Sequence, residues 1–141
     1  MSEILDRLRS DSALKVMEIR EPREGRIYFE VELKDFIFVV ERLFKEFDAR
    51  FISATALQTE FGFEIVYHFS LDKEKGVISV RIRLGKENPT AVSITSLRKG
   101  GEFIEREIYE MFGINFIGHS ELKGLFLDEF YGQEHPMRRQ R

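Results

Sequence analysis

The sequence contains no cysteine. Disulfides, thiolate zinc sites and cysteine-ligated iron–sulfur clusters are therefore excluded within this chain. Long hydrophobic runs are missing too. The longest apolar stretch, 36–40, falls far short of the roughly 18 residues that a membrane span needs. The charged opening, MSEILDRLRSDS, has no apolar segment of signal-peptide length, so no secretory leader is expected. An excess of positive charge is also lacking. The net charge is −3, which creates no global field favouring nucleic acid. Repeats, low-complexity segments and linkers are absent. What remains is a chain of 141 residues, 43% hydrophobic and 33% charged, the size and make-up of one globular domain with a real core.

Periodicity gives the coarse layout. Ile4, Leu5 and Leu8 suit a short amphipathic helix over 2–9. REPREG, 20–25, reads as a turn. In RIYFEVEL, Ile27, Phe29, Val31 and Leu33 alternate with Tyr28, Glu30 and Glu32, the pattern of a half-buried strand. Asp35 is placed to N-cap a core helix over 36–47, where Phe36, Val39, Val40, Leu43, Phe44 and Phe47 recur at helical spacing. Three strands are expected next, in RFISATALQT, FGFEIVYHFSL and GVISVRIRLG. The second of these puts Phe61, Phe63, Ile65, Tyr67 and Phe69 on one face. Turns at 60–62 and at DKEKG make two hairpins, and TAVSITSL suggests a last short strand. A helix over 102–112 follows, with Gly113 where a C′ glycine would stop it. The expected fold is a single α+β domain, a mostly antiparallel sheet with helices packed on one face and an extended C-terminal arm. The core is assigned to 1–113 and the arm to 114–141.

On the last helix, Ile104, Ile108, Met111 and Phe112 fall within about 80° of Ile104 and form the expected packing stripe. Glu105 and Glu107 flank it, while Arg106 and Glu110 lie opposite, as do the aromatics Phe103 and Tyr109. Large aromatics on a charged face suggest either a contact surface or cover for the domain's own tail. The arm holds Phe116, Leu122, Leu125, Phe126, Leu127, Phe130 and Tyr131, too apolar for a solvated tail.

Chemistry is thinner. His119 and His135 stand too far apart for a helical metal pair, although the two with a carboxylate could form a mononuclear site. His68, among aromatics in a strand, reads as structural. Glu105, Glu107 and Glu110 could serve acid–base work, but no nucleophile elbow or phosphate-binding glycine loop accompanies them, and a solvated or ion-paired helix face is the simpler reading. Arg81, Arg83 and Lys86 could touch nucleic acid, yet alternating arginines on an exposed strand are ordinary. A small stand-alone metal-dependent or acid–base enzyme, and a nucleic-acid module, therefore stay as alternatives.

The segment EREIYEMFGINF, 105–116, followed by Gly118 and His119, resembles the signature of the respiratory complex I "30 kDa" subunit family. The later His135-Pro136-Met137-Arg138-Arg139 is similar to that family's H-P-L-R-K. The resemblance implies a non-catalytic scaffold subunit in the hydrophilic arm of a membrane-bound oxidoreductase. Such a chain holds no cofactor itself and touches the membrane only through the complex, peripherally and on the cytoplasmic side. Its implied partners are a large catalytic subunit (49 kDa-like or hydrogenase-like) and neighbouring iron–sulfur subunits, which carry the iron–sulfur clusters and, in hydrogenase types, nickel–iron. Glu105, Arg106, Glu107, Tyr109, Phe112, Gly113, Phe116, Gly118, His119, His135, Pro136, Arg138 and Arg139 are the implied partner-binding residues. Glu105, Arg106 and Glu107 would anchor the arm by charge-assisted hydrogen bonds. The family's proline after Gly-His is Ser120 here, the following run becomes Lys123-Gly124-Leu125, and the sequence ends soon after Arg139. These departures point towards the short members of archaeal energy-converting hydrogenase-type complexes.

Overall fold

The computed structural model describes residues 2–119. Helix α1 (Ser2–Ser10) is followed by strands β1 (Met17–Arg23) and β2 (Arg26–Glu30), then by a 3-10 turn (Leu33–Asp35) and helix α2 (Phe36–Glu46). Strands β3 (Arg50–Gln58), β4 (Gly62–Leu71), β5 (Gly76–Gly85) and β6 (Thr90–Val92) come next, then helix α3 (Gly101–Phe112) and strand β7 (Asn115–Ile117). The longer strands form one sheet in the order β1-β2-β5-β4-β3, and β6 pairs with β7 separately.

The topology follows from connection lengths. β3 and β4 are joined by 59–61, and β4 and β5 by 72–75. Neighbours joined by so few residues must run antiparallel, because a parallel crossover takes a dozen residues or more. β1 and β2 also pair antiparallel. β2 and β5 are parallel, from Arg26 beside Val77 to Glu30 beside Arg81, and the long intervening chain provides the crossover. The result is the expected α+β fold with a mostly antiparallel sheet.

The described residues fall into two compact units: 2–53 with 66–82, and 54–65 with 83–119. In the first, α2 buries Phe36, Val39, Val40, Leu43 and Phe44, the stripe read from its spacing. Phe36 lies 4.6 Å from Tyr67, centroid to centroid, and Phe44 meets Phe69 edge-on at 5.6 Å. Ile27, Phe29, Ile78, Val80 and Ile82 complete this core. His68, on the opposite strand face from Tyr67 and Phe69, is held through Nδ1 to the Ser79 hydroxyl at 2.9 Å. Burial, and then the nearby Arg26 charge, lower its pKa below the ordinary histidine value. In the second unit, Phe63, Ile65, Leu84, Ile94, Ile108, Phe112, Ile114 and Phe116 are buried, and Phe63 meets Phe112 edge-on at 6.2 Å.

Four expectations need correction. Most of REPREG is strand, not turn: β1 runs to Arg23 and only Glu24 and Gly25 turn. Pro22 is tolerated because β1 is an edge strand of the sheet, where a missing N–H breaks no inner ladder. Asp35 does not cap α2 with its side chain, because the 3-10 turn already leads its helical backbone into the helix. Phe61 lies before β4 and is 84% exposed, so it does not join the buried face. Finally, the strand expected over 26–33 ends at Glu30, and Leu33 begins the 3-10 turn. Within the assigned arm, 115–117 is a strand that pairs in parallel with β6, Ala91 beside Phe116.

Candidate docking surface

Helix α3 ends as its sequence requires. Gly113 adopts the left-handed conformation, φ 77°, and its N–H donates to the Tyr109 carbonyl at 2.8 Å. Glycine does this without the steric cost that a Cβ brings. The reversal carries the chain into β7, which is tied at both ends. Asn115 N–H donates to the Pro89 carbonyl at 2.9 Å, and Ser93 N–H donates to the Ile117 carbonyl at 2.8 Å.

The buried seam of α3 is not the expected one. Gly101, Glu105, Ile108 and Phe112 are buried, whereas Ile104 and Met111 are only half-buried. At 100° per residue these four fall within about 60° of arc, with a glutamate inside the seam. Glu105 is 1% exposed. One carboxylate oxygen accepts from the Ser93 hydroxyl at 2.6 Å, and the other from the Ile94 N–H at 2.9 Å. The Ser93 hydroxyl is 2.7 Å from that of Thr95 and accepts from the Thr95 N–H at 3.1 Å. The Ile94 carbonyl accepts from the amides of Leu97 and Arg98. Glu105 therefore fixes the turn that leads from β6 towards α3. Burial raises its pKa above the usual glutamate value, opposed by the two hydrogen bonds and by the charge of His119. The solvated-face reading thus fails for Glu105. Glu110, which projects away from the seam, is 2% exposed and so is not solvated either.

His119 also turns inward. Its ring Nε2 donates to the Glu102 carbonyl at 2.9 Å, and its backbone N–H donates to the Phe116 carbonyl at 3.3 Å. Among the remaining motif residues, Phe112 and Phe116 are core, Arg106 and Tyr109 are half-buried, and Glu107 and Gly118 are exposed. The motif gathers in one unit around α3, but Glu105, Phe112, Gly113 and Phe116 spend their groups inside it. An anchoring bond from Glu105 to a partner is replaced by its two internal bonds. The outward apolar groups of this unit include Phe61, Phe103 at 56% exposure and Ile117 at 63%. Helical spacing offered a signal for Phe103 and for neither of the other two. His135, Pro136, Arg138 and Arg139 lie outside the described residues.

The chemical alternatives find little to work with. Both Glu105 oxygens are occupied. Among the described residues, no three His, Cys, Asp or Glu side chains gather as a metal would require. Arg81 pairs with Glu30 at 2.6 Å and with Glu18 at 2.9 Å, and Arg83 stands 3.6 Å from Glu64, so carboxylates neutralise the arginine-bearing strand. Among the described residues, no helix is long and apolar enough to cross a membrane.

Comparison with known proteins agrees with this architecture. The solved trypsin-resistant fragment of Nqo5 superposes with a TM-score of 0.72 at 22% identity, over 86% of this chain and 98% of that one. A chain in the structure of the membrane-bound sulfane sulfur reductase, an archaeal respiratory membrane complex, superposes with a TM-score of 0.86 at 19% identity, over 97% and 82%. At such identities the likeness is one of fold. In sequence, the chain is 40% identical over 83 residues to the C/D subunit of NADH-quinone oxidoreductase from Phocaeicola vulgatus, covering 57% of this chain and 15% of that protein. It is 31% identical over 122 residues to the C subunit of NADH-quinone oxidoreductase from Cereibacter sphaeroides, covering 82% of this chain and 60% of that protein. The chain thus spans less than two thirds of the length of these relatives. The family described as "Respiratory-chain NADH dehydrogenase, 30 Kd subunit" matches residues 29–141, and the chain belongs to that family.

Proposed function

We propose that this chain is a non-catalytic scaffold subunit of a membrane-bound respiratory oxidoreductase, of the complex I or nickel–iron hydrogenase type. It docks on the large subunit that forms the quinone site or holds nickel–iron, next to iron–sulfur subunits. It carries no cofactor of its own, and the clusters belong to its partners. It sits peripherally on the cytoplasmic side of the membrane. The observation that carries this reading is the family match over 29–141, which contains the whole of the α3 motif. The exposed Phe61, Phe103 and Ile117 support it, since a partner would bury apolar groups of this kind. The motif departures at Ser120 and Lys123-Gly124-Leu125 favour the hydrogenase type as the second form of the same reading.

The test is capture from the source membranes with the tagged full chain, followed by identification of co-purifying subunits and assay of nickel and iron. A large subunit with nickel and iron supports the hydrogenase type. A large subunit with iron, no nickel and quinone reductase activity supports the complex I type. Recovery of the chain without a large subunit overturns the proposal.

A further inference from the structure

We propose that Glu105 and His119 form a two-point clasp that fixes where the chain continues beyond residue 119, and that both are positioning residues for docking rather than contacts with the partner. The docking half of this inference rests on the function proposed above.

The two side chains hold the C-terminal ends of both strands of the small parallel sheet. β6 and β7 are three residues each and pair only with each other among the described strands. So short a two-stranded ribbon has little stability of its own. Its persistence comes from the burial of its central pair, Ala91 and Phe116, and from what holds its ends. At the C-terminal end of β6, the Glu105 carboxylate accepts from the Ser93 hydroxyl and the Ile94 amide. Just beyond β7, the His119 ring donates to the Glu102 carbonyl. Both attachments fall on the first turns of α3, three residues apart. Between them, Ser93 N–H donates to the Ile117 carbonyl, which ties the two clasped ends to each other. The loop from Gly113 to His119 is therefore pinned at its start by the left-handed glycine and at its end by the imidazole.

A pinned exit matters for docking. Docking costs less entropy when the residue that leads into the docking segment already stands in place. Freed from α3, residue 119 would sample many positions, and each would have to be frozen again on binding. The donor is the imidazole N–H at Nε2, because a carbonyl can only accept. Glutamine can present an N–H at a similar reach, while phenylalanine keeps the ring shape without the donor. That pair of substitutions separates clasping from mere filling of space.

The experiment uses the full chain with His119→Phe, His119→Gln and Glu105→Ala. Amide exchange of the isolated protein is read first. For His119→Phe, the amides of Ser93, Asn115 and His119 should exchange faster by about tenfold, with those of Tyr67 and Ile82 unchanged and His119→Gln close to the parent. Equal exchange in His119→Phe and the parent overturns the clasp. So does a uniform rise that includes Tyr67 and Ile82, which would mean a global structural role. Capture of the large subunit from source membranes is read second. The parent and His119→Gln should capture it equally, and His119→Phe and Glu105→Ala about tenfold less. Undiminished capture by His119→Phe overturns the positioning role. If the parent captures no large subunit, the docking half falls together with the proposed function, and the exchange data alone decide whether the clasp exists.

Discussion

Replacing Glu105 by alanine and by glutamine separates the two things its buried carboxylate does. Alanine leaves the Ile94 N–H without an acceptor in a site where Glu105 is 1% exposed. An orphaned buried donor costs about 1–3 kcal/mol. If about 40 Å³ of the vacated space stays unfilled, roughly 1 kcal/mol more is lost at about 24 cal/mol per Å³. Removing a desolvated charge offsets part of this, since burial already raises the Glu105 pKa. A net loss of about 2–3 kcal/mol at neutral pH is expected, or about 6–9 °C in Tm for a chain of this size. Glutamine behaves differently. Its carbonyl can accept from Ile94 while its N–H donates to the Ser93 hydroxyl, which then donates to Thr95, 2.7 Å away. No charge is buried, so Glu105→Gln should stay within about 1 kcal/mol of the parent. The sign with pH follows from the raised folded-state pKa. The folded state binds the proton more tightly than the unfolded chain, so this group's stabilisation is full below the unfolded value of 4.5 and is lost as pH rises through the raised value. The parent should therefore gain on Glu105→Gln as pH falls through that window. Thermal melts of the three proteins across about pH 4–8 read all of this. Equal destabilisation by glutamine and alanine would refute the reasoning, because it would mean that the site demands two anionic acceptors.

Other consequences can be checked in the same way. A Cβ on Gly62 would stand 2.1 Å from the Leu84 carbonyl oxygen, so Gly62→Ala should cost more than about 3 kcal/mol or prevent folding, read by urea denaturation. Gly113→Ala forces a left-handed residue at φ 77° and should cost about 1–2 kcal/mol with α3 otherwise intact, read by thermal melts and amide exchange. His68 has a lowered pKa, so as pH falls below the unfolded value of 6.5 the unfolded chain takes up a proton that the folded state refuses. The parent should lose stability there relative to His68→Gln, the opposite slope to that from Glu105, and difference melts of the two variants separate the contributions. Phe103→Ser should leave the Tm of the isolated chain within about 1 °C, because the side chain is 56% exposed, while weakening capture of the large subunit.

The legible parts of the fold were those in which one period spoke for one buried face. α2 repeats Phe36, Val39, Val40, Leu43 and Phe44 at helical spacing, and all are buried as that spacing requires. β4 and β5 alternate cleanly, and their short connections force the antiparallel pairing. β1 was hidden because Pro22 reads as a breaker, whereas an edge strand tolerates it. β7 was hidden because three residues carry no period, and its pairing with β6 is long-range. In α3 the hydropathy stripe placed the buried side about 45° away from where it lies, at 100° per residue. A glutamate occupies the seam, and only the hydroxyl of Ser93 and the amide of Ile94 make it acceptable there. No local pattern announces such partners. The motif that carries the family resemblance was legible as a sequence, but its division into internal and outward groups was not, since that depends on contacts made after the turn at Gly113.

Docking on a large oxidoreductase subunit is tested most directly by mixing the purified chain with the purified large subunit and measuring mass by sedimentation at physiological salt. A single species with the mass of one copy of each, lost to monomers when Phe103 and Ile117 are both replaced by serine, is the predicted result. Two species sedimenting independently across micromolar concentrations would contradict it.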